Sequence, residues 1–131
     1  MTLLAHQRHL QKQFDIDMNY TIYTPSAMRL KKEILKRVEE KADANGNGIV
    51  TWQIAETDAH EKVLVHTADQ WAEKGGIVLK QVSGRNELQA RYLYWDSCED
   101  RENNDDRIML GRFTELVLVH FSYFIDKIVI E

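Results

Sequence analysis

ADANGNGIVTWQ, residues 42–53, decides how this chain is to be read. Asp43, Asn45 and Asn47 alternate and Gly48 comes next, the spacing of the first ligands of a calcium loop. Such a loop ends on a bidentate glutamate at its twelfth position and leads into a helix. Counted from Asp43, the twelfth residue is Ile54, whose side chain offers no oxygen. The residues after the glycines lack a helical pattern as well. Val50, Trp52 and Ile54 alternate with Thr51, Gln53 and Ala55, the period of a strand. The stretch therefore reads as the turn from a helix into a strand, with the glycines supplying the left-handed residues that close the helix.

Working back from that turn, residues 26–42 carry Ala27, Leu30, Ile34, Leu35 and Val38 at spacings of three and four, an amphipathic helix with one stripe for a core. Thr24 and Pro25 stand where an N-cap and a first helical residue belong. Residues 19–24 suit a short strand, and residues 1–14 form a weaker helical pattern through Leu3, Leu10 and Phe14. Working forward, residues 61–67 return as a strand antiparallel to the first. Thr67 and Gln70 then stand as a capping box for a short helix closed by Gly75 and Gly76. Two further strands, 76–84 and 87–95, are joined around residues 83–86 as a hairpin. Phe113, Leu116, Val117, His120, Phe121 and Phe124 predict a helix over 107–124, although the Val and Phe content also suits a strand. Residues 126–131 close the chain as a strand.

The expected fold is thus a single α+β domain over residues 1–131. An antiparallel or mixed sheet of about five strands carries two or three helices packed on one face. A length of 131 residues is enough to bury a core without staples. The chain has one cysteine, so it forms no intrachain disulfide, which fits a reducing compartment. The N-terminal apolar run is too short for a signal-peptide core, and the longest apolar run elsewhere, Leu116–Val119, is too short to span a membrane. The expectation is a cytoplasmic protein with no membrane contact. Charge is uneven: residues 1–42 carry eight Lys/Arg against five Asp/Glu, net +3, and residues 43–131 carry nine against sixteen, net −7. Different solvated faces account for this asymmetry.

No catalytic set assembles along the sequence. His6 and His9 lie three apart, but no further ligands stand at metal-site spacing. His66 ends a strand, where a backbone partner suits it; His120 falls on an apolar helical face, where a buried packing role does. Cys98 lies in an acidic loop beside Glu99 and Asp100, whose charges disfavour its thiolate. The carboxylates of residues 96–106 read as a solvated loop. No nucleophile elbow, phosphate loop or dinucleotide fingerprint is present. Neither a cofactor nor a metal is expected.

The most suggestive segment is the aromatic strand 87–96, where Arg91, Tyr94 and Trp95 have the composition of a binding hot spot. These three are the candidate binding residues. The expected function is that of a small non-enzymatic protein-binding module. The alternatives are nucleic-acid binding through the basic helix 26–42 or the aromatic strand, and an enzyme whose site joins sequence-distant residues. The last strand, with Ile128, Val129 and Ile130 in succession, reads as covered on both faces inside the sheet. The other reading of that strand is pairing with its copy in a homodimer.

Overall fold

The computed structural model describes residues 9–10, 19–41, 48–82 and 84–131. Strand β1 (Tyr20–Tyr23) leads into helix α1 (Ala27–Glu40), strands β2 (Trp52–Glu56) and β3 (Lys62–His66), and the single-turn helix α2 (Asp69–Ala72). Strands β4 (Gly75–Gln81) and β5 (Glu87–Tyr94), helix α3 (Asp105–Phe121), a 3-10 turn over Ser122–Phe124 and strand β6 (Lys127–Ile130) complete the described chain. The six strands form one sheet in the order β2-β3-β4-β5-β1-β6, and every pairing is antiparallel. The α+β expectation holds, with one strand more than expected. Among the described residues no helix is long and apolar enough to cross a membrane.

Strand alternation sorts the side chains onto two faces. Tyr20, Ile22, Leu64, Ile77, Leu88 and Tyr92 point to one face. There they meet the α1 stripe of Leu30, Ile34 and Val38 and the α3 residues Phe113 and Val117, forming the main core. Burying side chains of this size is worth about 1.5–3 kcal/mol each. Val63, Val65 and Trp95 point to the other face, where Leu10 and Ala72 cover them.

Several local expectations are corrected. Thr24 does not cap α1: Ser26 stands at the N-cap position, and the Thr24 hydroxyl donates to the Phe124 carbonyl at 2.6 Å, tying the end of β1 to the 3-10 turn after α3. At the other end Lys41, not a glycine, takes the left-handed conformation, and its N–H returns to Val38 and Arg37. Residues 42–47, with most of the calcium-like loop, lie outside the described residues, as do most of the weak helix 1–14 and the His6 of the His6–His9 pair. Ile54 lies in β2 and packs against the core, as the strand reading requires.

The Thr67–Gln70 capping box is not formed. Ala68 is the cap residue of α2, and its N–H donates to Nδ1 of His66 at 3.1 Å. Gly75 and Gly76 do not close α2 but open β4. A Cβ on Gly75 would sit 2.1 Å from the Leu93 carbonyl oxygen, and one on Gly76 2.4 Å from a Val63 methyl, so close strand packing demands both. The segment 107–124 is helical, starting two residues early at Asp105. Among the described residues β6 is not inside the sheet: it pairs with β1 alone and is an edge. Three successive apolar residues read as doubly covered, but only Ile128 packs against the main core, and Ile130 is 51% exposed.

Candidate functional site

The aromatic strand does not present its three candidates together. Arg91 is exposed on the face away from α1 and α3. Trp95 shares that face but is buried against Val63 and Val65, and its indole N–H donates to the Ala72 carbonyl at 2.9 Å. Tyr94 points to the opposite, helical face. Its hydroxyl donates to Asp105 at 2.8 Å and meets the Glu102 carbonyl at 3.1 Å, while the Arg101 guanidinium lies 4.8 Å from its ring centre. Of the three, Arg91 alone offers a free side chain at the surface.

Tyr94 belongs to a buried polar cluster that composition did not reveal. Asp105, 2% exposed at the start of α3, accepts from the Lys74 ammonium at 3.1 and 3.2 Å and from the Glu102 N–H at 2.8 Å. Lys74 is buried too, with the Trp71 ring 5.2 Å away. Burial alone would raise the Asp105 pKa. The hydrogen bonds from Glu102, Tyr94 and Lys74, with the charge of Lys74, outweigh it and hold the carboxyl below its ordinary range. Burial alone would lower the Lys74 pKa, but the hydrogen bond and charge of Asp105, with the charges of Asp100 and Glu102, hold the ammonium above its ordinary value. Burial pushes both the Tyr92 and Tyr94 phenols well up, followed by the charge of Asp105 for Tyr92 and by the hydrogen bond to Asp105, then its charge, for Tyr94. The Tyr92 hydroxyl is buried without a hydrogen-bond partner among the described residues. The cluster staples the N-terminus of α3 to β4 and β5.

A surface groove lies on another flank of α3. It encloses about 280 Å³ and runs between the residues entering β2, the end of β3 and the second half of α3. Its floor is Ile49, Trp52 and Leu116, all buried. Val50 and Val119 stand on it, 73% and 71% exposed. Four titratable side chains converge there: His66, Arg112, Glu115 and His120. Arg112 and Glu115, one helical turn apart, pair at 3.8 Å. His66 is half-buried with its ring edge-on to Trp52, and burial, then the Arg112 charge, lower its pKa. His120 was expected to be buried. It is half-buried instead, edge-on to Phe121, because α3 turns it to the helix flank rather than into the sheet.

The remaining candidates are dispersed. His9 pairs with Asp58 at 2.9 Å at the surface. Among the described residues no three His, Cys, Asp or Glu side chains gather closely enough to hold a metal ion. Cys98 is buried and free. On the basic helix, Arg37 is bound to Glu33 and the Tyr123 hydroxyl, Arg29 lies over Phe124, and the Lys41 ammonium donates to the Trp52 carbonyl at 2.7 Å. Three of its cations are thus engaged within the fold, leaving Lys31, Lys32 and Lys36 as the more open charges. No family model, curated protein or solved structure matches this chain.

Proposed function

We propose that this protein is a non-enzymatic binding module that receives a segment of another protein in the groove between α3 and β2. The observation that supports this most is the pair of exposed apolar side chains, Val119 of α3 and Val50 before β2, standing over the buried floor of the groove. The sheet covers Met109, Phe113, Leu116 and Val117, but Val119 stands exposed beside Val50 over a buried apolar floor. An apolar floor with a few convergent polar groups is the usual make-up of a recognition site. The charges indicate the partner's chemistry. The Arg112 guanidinium and the ring N–H donors of two histidines outnumber the one acceptor side chain, Glu115, so an apolar anchor residue flanked by a carboxylate fits the groove.

Binding is favoured over catalysis by how the polar groups are used. Nδ1 of His66 is occupied by the Ala68 N–H, and Glu115 is paired with Arg112. A general base needs a free nitrogen or oxygen within reach of its substrate. A cytoplasmic setting belongs to the same reading, supported by the free, buried thiol of Cys98.

Selection of a displayed random-peptide library on the full chain tests the proposal. Enriched peptides are expected to share an apolar residue next to Asp or Glu, to shift the His66 and His120 NMR signals, and to lose at least about tenfold in affinity for Val119→Asp. Arg91→Ala should leave that affinity unchanged. Peptides that bind Val119→Asp as tightly as the parent, or a library that yields none while single-stranded nucleic acid binds in a salt-dependent way, would refute it.

A further inference from the structure

The two edges of the sheet are treated differently. An edge strand exposes a row of backbone donors and acceptors that another strand can pair with. On β2, the outward-pointing Trp52 carbonyl is taken by the Lys41 ammonium at 2.7 Å, and the charged Glu56 and Lys62 face each other across the hairpin. On β6, no hydrogen bond from the described residues caps the outer side. Asn19 and Glu131 exchange both backbone bonds at 2.9 Å, so the alternation of an antiparallel ladder turns Lys127, Val129 and Glu131 toward β1. The N–H and C=O groups of Ile128 and Ile130 therefore point outward.

We propose that β6 pairs with β6 of a second copy of this chain about a two-fold axis at Val129, making one continuous antiparallel sheet. Three features converge on that register. The outward pair is Ile128 opposite Ile130 of the second copy, the parity needed for each to exchange both backbone bonds. Lys127 then faces Glu131 of the second copy, and the symmetry makes this pair twice. Shifting the register by two residues sets Asp126 against an isoleucine, and shifting it by four sets Lys127 against Lys127. The side chains agree with the backbone. Ile128 and Ile130 point to the helical face, where with Leu118, Thr114 and Ile125 they line an apolar groove beside α3, with Leu118 and Ile130 each 51% exposed. A two-fold axis normal to the sheet keeps both copies' helices on one face and brings these apolar groups together. This flank of α3 is the one away from the β2 groove, so a dimer leaves that groove open.

Sedimentation equilibrium of the full chain from about 1 to about 100 µM tests this, since dimerisation depends on concentration. The parent is expected to dimerise. Lys127→Glu should weaken the dimer about tenfold or more, because both symmetric pairs become repulsive, and Glu131→Lys should do the same. The double exchange Lys127→Glu/Glu131→Lys should restore it. Ile130→Pro removes an outward N–H without touching the β1 ladder, and should give a folded monomer with the parent's circular dichroism. A parent that stays monomeric, even one that adds an extended peptide at this edge, overturns the proposal. So does a dimer indifferent to Ile130→Pro, or a double exchange that stays as weak as its single variants.

Discussion

Asp105→Asn removes one charge from the buried cluster at the start of α3 and almost no volume. In the parent, the Lys74 ammonium lies 3.1 and 3.2 Å from the two Asp105 oxygens, and its next carboxylate, Glu102, is exposed and 3.6 Å away. Breaking a buried pair from one side leaves an uncompensated charge and costs about 3–5 kcal/mol. Glu102 and the Trp71 ring still offer Lys74 some stabilisation, so the lower end, about 3 kcal/mol, is expected. Against a total of about 5–15 kcal/mol the loss is large, and with a slope of about 1.5–2 kcal/mol/M it lowers the urea midpoint by about 1.5–2 M. Urea titration followed by tryptophan fluorescence and circular dichroism reads it directly. The effect must also depend on pH in a set direction. The Asp105 carboxyl is held below its ordinary value of 3.8, so its contribution is full above that value and lost as pH falls through the lowered one. Parent and variant should therefore converge in acid. Replacing both partners, Lys74→Met with Asp105→Leu, should land within about 1 kcal/mol of the parent or above it, since neither charge is then stranded and Tyr94 keeps the Glu102 carbonyl. A loss under about 1 kcal/mol at neutral pH, or a loss that does not shrink in acid, would refute the account of this cluster as a charge-paired staple.

Gly76→Ala should destabilise by about 2 kcal/mol or more, because its Cβ would meet a Val63 methyl and the Leu64 carbonyl at 2.4 and 2.7 Å; thermal unfolding measures this. Gly111→Ala should do the opposite, stabilising by about 0.5–1 kcal/mol, since the site lies inside α3 with open space around the new methyl. In an NMR titration His66 should protonate below the 6.5 of an ordinary histidine, and Arg112→Ala should recover only part of the shift, because burial is the larger cause. The unfolded chain protonates His66 first, so this residue contributes a loss of stability as pH falls below 6.5. Calorimetric titration should show no calcium binding that depends on Asp43, because Ile54 stands in β2 where the loop's bidentate ligand would have to be.

Local pattern determined much of this fold. The stripe of Leu30, Ile34 and Val38 needs only a 3.6-residue period to make α1, and the alternation around Trp52 and Ile54 needs only a two-residue period to make β2. The hairpin of β4 and β5 and the helical reading of α3 rest on the same short-range regularity, and together they imply an α+β sheet. Tertiary structure decided what those periods leave open. Whether Ile128–Ile130 lies inside the sheet or at its edge depends on which strand β1 accepts on its second side, a long-range choice. Trp95 looked like a binding residue and is core because α2 and the chain at Leu10 close over the second face. Asp105 stands among several acidic residues, and only the landing point of α3 above Lys74 singles it out for burial. The groove draws Val50, His66 and Arg112–His120 from three separate segments, with no shared period to mark them. Periodicity reports which side chains face a core; which surfaces then meet is set by packing between elements distant in the chain.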